Sequence, residues 1–345
     1  LLALDYPADK VNIILVDDGS TDNTWHVMQH YIGHPQITAY QKENGGKHTA
    51  MNLGIEKATT SFLGCLDADS FVDPQALKRI MTYFDNQEVM AVAPAIIVTK
   101  TKNIIQRIQK IEYNWAIYTK KMLGLNNAIH VAPGPFSIFR TEVFAKIGNF
   151  RSAHNTEDME IAYRMQANHM KIEHANDAFV YTVTPNTIKK LYKQRLRWIY
   201  GFIQNTIDYR RLLFKKEFGN FAFFTVPSGV LSVISVCFIF FFSIYKLFNF
   251  IVEQTIRITT VGISLSWPQH VFDPFYFNTQ AINIIIMTLY MTVIIAMLIG
   301  SRMAEGRPKF SLNYLWFFAI YSVIAPLWLL KAVYNTIFAK KTAWR

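Results

Sequence analysis

Asp67-Ala68-Asp69, Thr156-Glu157-Asp158 and Gln194-Arg195-Leu196-Arg197-Trp198 follow one another along the chain, with long apolar runs behind them. Each group suits a different part of one reaction. Two carboxylates one residue apart suit a divalent cation, because Mg2+ and Mn2+ take oxygen ligands and keep diphosphate oxygens in their shell. Asp158 stands clear of that pair and can take a proton from an attacking hydroxyl. Arg197, with Arg195 beside it, can neutralise charge growing on a departing diphosphate. Trp198 offers an apolar face to a sugar ring. In this order the groups predict transfer of a sugar from a nucleotide at a membrane.

Each motif also has a plainer reading. Asp-x-Asp is common at turns and helix caps. Thr-Glu-Asp is an ordinary helix start, with Thr156 as cap and the acids meeting the dipole. A base at a helix start is also rigidly placed, so both readings hold together there. The Arg/Trp cluster also reads as a basic interfacial helix with an anchoring Trp. Asp17-Asp18-Gly19-Ser20 and Glu43-Asn44-Gly45-Gly46-Lys47 read either as strand-to-helix turns or as nucleotide contacts. On the second reading Asp18 accepts from a base or ribose and Lys47 faces phosphate.

The elements that must carry these groups alternate short apolar runs with helical stretches over residues 1–186, which predicts a parallel α/β sheet. Strands are expected at 11–16, 37–40 and 62–66, with helices through Tyr31 and from His48 to Ala58. Ser20 or Asp22 is expected to cap the first helix. The polar motifs follow strand ends, where open α/β sheets bind ligands. The chain opens on Leu1 rather than Met, in what reads as the end of a helix. It reads as a fragment missing its beginning, with no signal peptide or N-terminal span.

Composition shifts near residue 220. The chain has 345 residues, is 51% hydrophobic and carries a formal net charge of +11. Nearly all carboxylates lie before the shift and most of the apolar content after it. Lys and Arg cluster beside apolar spans, which points to anionic headgroups and a diphosphate rather than nucleic acid. Cys65 and Cys237 are too few and badly placed for a disulfide framework, so a reducing, cytosol-facing domain is expected. Residues 187–220 read as a basic amphipathic interface segment with Trp198 and Tyr200 near the headgroups. Residues 221–345 read as a transmembrane region with spans at about 221–245, 281–300 and 314–337, each near the roughly 20 residues a crossing needs. Glu253 and Arg257 make 251–267 an interfacial or re-entrant element. Three crossings would put Lys340, Lys341 and Arg345 outside; a fourth would bring them in but export Arg302, Arg307 and Lys309.

The chain resembles the processive family 2 inverting glycosyltransferases, the group of cellulose, chitin, hyaluronan and poly-N-acetylglucosamine synthases. The matching residues are VDDGSTDNT (16–24), ENGGKHTAMN (43–52), LDAD (66–69), GPFSIFR (134–140), TED (156–158) and QRLRW (194–198). The stretch Ile108 to Tyr113 and the three-span ending are most similar to the bacterial poly-N-acetylglucosamine synthases. The resemblance implies a GT-A fold, Rossmann-like and lacking its first strand here, together with its Pro-x-x-Asn-Glu-like motif. It implies a UDP-sugar donor with Asp18, Lys47, Asp67, Gln194 and Arg197 on the donor side. Trp198, Gly134 and Glu157 fall on the acceptor side, Asp67 and Asp69 on Mg2+ or Mn2+, and Asp158 at the base position. It further implies a growing polysaccharide as acceptor, a plasma-membrane location with the catalytic domain cytoplasmic, and a small accessory membrane subunit as a possible partner. A non-processive enzyme glycosylating a lipid carrier, and a silent membrane scaffold, are the alternatives.

Overall fold

The structure, a computed structural model, describes residues 1–262, 281–308 and 310–338. Leu1 to Leu4 form a turn closed by the Leu4 N–H on the Leu1 carbonyl, not the end of a helix. The β-branched run Ile-Ile-Leu-Val forms β1 (Ile13–Asp17), which pairs in parallel with β2 (Ile37–Gln41), Asp17 opposite Gln41. Between them α1 (Thr24–Gln29) is shorter than expected, and the Asp22 carboxylate, not Ser20, accepts the Thr24 N–H. α2 (Lys47–Lys57) begins directly after Gly46, whose φ of +90° only glycine adopts without strain.

A second sheet holds β3 (Phe62–Cys65), β4 (Phe71–Val72), β5 (Val89–Val98), β6 (Ser137–Arg140) and β7 (Lys171–Thr182) in the order β3-β6-β5-β7-β4. This corrects the expectation of a parallel sheet. Only β5 and β7 pair in parallel; β6 enters antiparallel between β3 and β5. The reason lies in the connection. α4 (Ile104–Leu125) ends where Gly124 meets His174 of β7. The loop 126–136 then carries the chain back, so that Phe136 donates its N–H to Cys65 at the far end of β3. β6 therefore starts where β3 stops.

Helices cover both faces. α3 (Ala76–Tyr83) packs Ala76 and Ile80 on Val92, Ile138 and Val180. On the other face Ala91, Phe139 and Ile172 meet α5 (Thr141–Ile147) and α6 (Glu157–Ala167) through Phe144, Ile161 and Met165. α2 joins this second face with Met51 and Ile55.

Beyond the sheet, α7 (Ile188–Asp208) starts at Thr187, whose hydroxyl accepts the Lys190 N–H. Three further helices are long and apolar enough to cross a membrane: α8 (Val226–Val261), α9 (Ala281–Glu305) and α10 (Asn313–Ile337). The first corrects the expected boundary. It runs unbroken to Val261 and carries Glu253 and Arg257 within it, so 251–261 is not a separate element. Residues 263–267 and the basic tail at 340, 341 and 345 lie outside the described residues. Tyr200 is also corrected: it is buried beside His154, not set at a lipid-facing surface.

Phe139 sits among Phe144 and Phe150, with ring centroids 5.5 and 6.1 Å away, and is 1% exposed. Phe139→Ala should cost about 3–5 kcal/mol of stability through the cavity it leaves. Thermal unfolding of the detergent-solubilised protein would check this; a shift within error would show that the cluster is not the domain's main core.

Candidate active site

Asp67 and Asp69 leave the end of β3, Lys47 opens α2, and Glu157 and Asp158 open α6. Their side chains meet. Lys47 Nζ lies 2.5 Å from Asp67 Oδ1 and 3.4 Å from Glu157 Oε1, so one ammonium joins the two acidic motifs. Burial alone would lower the Lys47 pKa, but Asp67 and Glu157 raise it well above the ordinary lysine value. The Asp158 pKa is raised as well, to about 6, because it is buried and has Glu157 beside it; Lys47 and Arg197 only partly oppose this. A carboxyl with a pKa near neutrality is suited to proton transfer.

One cavity of about 630 Å³ is lined by nine of the ten residues that the family resemblance puts at the site: Lys47, Asp67, Asp69, Gly134, Glu157, Asp158, Gln194, Arg197 and Trp198. The tenth, Asp18, is not among the lining residues. Its carboxylate is tied to the neighbouring turn by Lys42 at 2.7 Å, the Gly45 N–H at 3.1 Å and the Thr49 hydroxyl at 3.3 Å. That turn approaches so closely that a Cβ on Gly19 would lie 2.6 Å from the Asn44 nitrogen.

Gly134 is equally constrained. A Cβ there would lie 2.7 Å from Lys47 Nζ and 3.2 Å from Asp67 Oδ2. Asp67 and Asp69 offer oxygen only, and no group of three or more His, Cys or carboxylate ligands forms a protein-only metal site among the described residues. This donor set fits a hard divalent cation that completes its shell with phosphate oxygens and water.

Thr156 does not cap α6. Its hydroxyl donates to the Ala153 carbonyl and accepts from Asn205 of α7. α7 comes this close because residue 201 is glycine, where a Cβ would overlap the Thr156 side chain. Gln194, Arg197 and Trp198 then face the cavity, and Lys189, Lys190 and Lys193 are exposed. Arg195 does not line the cavity. It is 4% exposed and pairs with Glu112 of α4 at 2.7 Å, which corrects its expected place at a diphosphate.

Sequence reasoning missed the deep end of the cavity, where Lys120, His130 and His174 stand. Burial lowers Lys120 to about 8, His130 to about 4 and His174 to about 3, so both imidazoles are neutral. They come from α4, from the loop behind it and from β7. No local motif marks them, and only the fold unites them. Lys42 was missed as well, although its place at the end of β2 made it readable.

Residues 1–148 match the model of glycosyl transferase family 2. This stretch is similar to family 2 glycosyltransferase domains. Curated relatives include poly-β-1,6-N-acetyl-D-glucosamine synthases of Staphylococcus epidermidis and Staphylococcus aureus (strain COL). Each is 30% identical over 204 residues, covering 58% of this chain and 49% of the relative. The chain spans about half the length of the curated relatives it matches. The mannosyltransferase PcManGT from Pyrobaculum calidifontis, solved with GDP-Man and Mn2+, superposes with a TM-score of 0.57. That match has 15% identity over 98% of this chain and 81% of the other. It gives the catalytic part of this chain a GT-A fold, with three long apolar helices following it.

Lys47→Met would leave Asp67, Glu157 and Asp158 facing each other without their shared cation. The Asp158 pKa, already above its unfolded value, would climb further. The ionised crevice then destabilises the fold at neutral pH, and the penalty fades as pH falls through that raised pKa. A loss of about 1–3 kcal/mol at neutral pH is expected. Unfolding of both proteins across pH would check it; an equal difference at every pH would contradict the electrostatic role.

Proposed function

We propose that this chain is the catalytic and membrane part of an inverting glycosyltransferase. It transfers N-acetylglucosamine from a UDP-linked donor to a growing β-linked polysaccharide at the cytoplasmic face of the plasma membrane. The observation that carries the reading is the single cavity. It is lined by both acidic motifs and the Gln/Arg/Trp face of α7, and it continues to Gly229, Ser232 and Val236 of α8 and Leu329 of α10. A chain extended at Asp158 would meet the apolar helices within the same cavity. The similarity to poly-β-1,6-N-acetylglucosamine synthases supports the choice of sugar.

In this reading the acceptor hydroxyl gives its proton to Asp158 as its oxygen attacks the anomeric carbon. The bond from that carbon to the diphosphate oxygen breaks, and UDP departs with the electron pair. Lys47 and Arg197 balance the charge gathering on the diphosphate. Bound to Asp67 and Asp69, Mg2+ or Mn2+ would supply further neutralisation at the same oxygens. Asp18, held by Lys42 and Gly45, would accept from the nucleoside. Gly134 and Glu157 border the acceptor space, where Trp198 offers its ring. Exposed Lys189, Lys190 and Lys193 set α7 against anionic headgroups.

Two outcomes test this. Asp158→Asn should leave UDP affinity nearly unchanged while transfer falls by about 10²–10⁴-fold. In the unsubstituted enzyme transfer should decline as pH drops through about 6, where Asp158 takes up its proton. Parallel loss of UDP binding would place Asp158 at the donor instead. Asp69→Asn should weaken both UDP binding and turnover, and a chelator should abolish transfer until Mg2+ or Mn2+ is restored. Full activity in excess chelator would remove the metal from the account.

A further inference from the structure

Arg195 is a buried guanidinium on the same helix as Trp198, three residues earlier, and its carbon lies 4.2 Å from the indole centroid. Its Nη2 donates to Glu112 Oε2 at 2.7 Å, and its guanidinium also meets the hydroxyls of Tyr113 and Tyr321. The same Glu112 oxygen accepts the hydroxyl of Tyr321, in the middle of α10, at 2.5 Å. Three elements thereby meet: Tyr321 of α10 holds Glu112 of α4 and also touches Arg195, Glu112 holds Arg195 of α7, and Arg195 backs the ring that faces the cavity. A planar guanidinium with one end fixed and its face on an indole sets the tilt of that indole. Glu112 and Tyr321 lie 209 residues apart in sequence, so this contact belongs to the folded chain alone.

We propose that Arg195 is a positioning residue that holds Trp198 at the acceptor, and that the span α10 fixes it through the Tyr321 hydroxyl. The acceptor role of Trp198 is taken from the function proposed above; the linkage itself is not. Tyr321→Phe removes one hydroxyl and keeps the ring. Arg195→Lys keeps the charge and loses the planar fork.

The test uses the chain in lipid nanodiscs, with UDP-N-acetylglucosamine as donor and a short β-linked N-acetylglucosamine oligosaccharide as acceptor. For both variants the acceptor KM should rise roughly tenfold while kcat and the UDP Kd stay within about twofold. Combined with Trp198→Phe, neither should raise the acceptor KM beyond the Trp198→Phe value, because both act through the indole. Acrylamide quenching supplies a readout that needs no turnover. The Trp198 component, isolated by difference from Trp198→Phe, should become more accessible in Tyr321→Phe and in Arg195→Lys. Unchanged quenching in both variants, or losses that add to that of Trp198→Phe, would overturn the linkage. A chain that turns over no oligosaccharide while its Trp198 component still loosens would instead overturn the acceptor reading and leave the linkage standing.

Discussion

Five carboxylates, Asp67, Asp69, Glu112, Glu157 and Asp158, line one cavity, and a crevice with that much like charge does not close without cations inside it. Lys47 is the cation in direct contact with both acidic motifs. Its position depends on α2 beginning at residue 47, which in turn depends on the Gly45-Gly46 turn. Gly134 leaves the ammonium the space it needs. Burial, with Glu157 beside it, raises the Asp158 pKa to about 6, the range that the proposed role as base calls for.

The membrane-facing helices reach this crevice through missing side chains. Gly201 lets α7 settle on Thr156, and Gly229 lets α8 settle on the ring of Phe202, where a Cβ would come 2.5 Å from Cζ. Gly300 does the same for α9 against the backbone of Asn114 in α4. Close approach turns separate elements into one wall, and Phe202, Val233 and Leu329 share a hydrophobic cluster across it. A cavity that begins at carboxylates and ends at apolar helices results from these contacts.

Strands β1 to β3, α2 and the apolar helices were legible because each is a local pattern: a β-branched run, a glycine turn, or a long stretch without charge. Asp67, Asp158 and Trp198 were legible as neighbours in one cavity because the order of motifs is itself information. Sheet direction was not, since it is set by the path of the loop 126–136, which has no periodicity to read. The place of Arg195 was hidden for a related reason. Its neighbours Gln194 and Arg197 face the cavity, but the partner that turns Arg195 away is 83 residues upstream. The length of α8 was underestimated because Glu253 and Arg257 looked like an ending, whereas a helix carries such charges on whichever side meets water. Lys120, His130 and His174 show the limit most plainly: each is unremarkable in its own segment and is grouped only by the fold.

The central claim is a single displacement at the anomeric carbon, with Asp158 activating the acceptor in line with the departing diphosphate. Stereochemistry reads this directly. Proton NMR of the anomeric signal in the first sugar transferred from α-linked UDP-N-acetylglucosamine is expected to show a β linkage, before any equilibration. An α linkage would mean retention, and with it a covalent or front-face route in which Asp158 does not serve as the sole base.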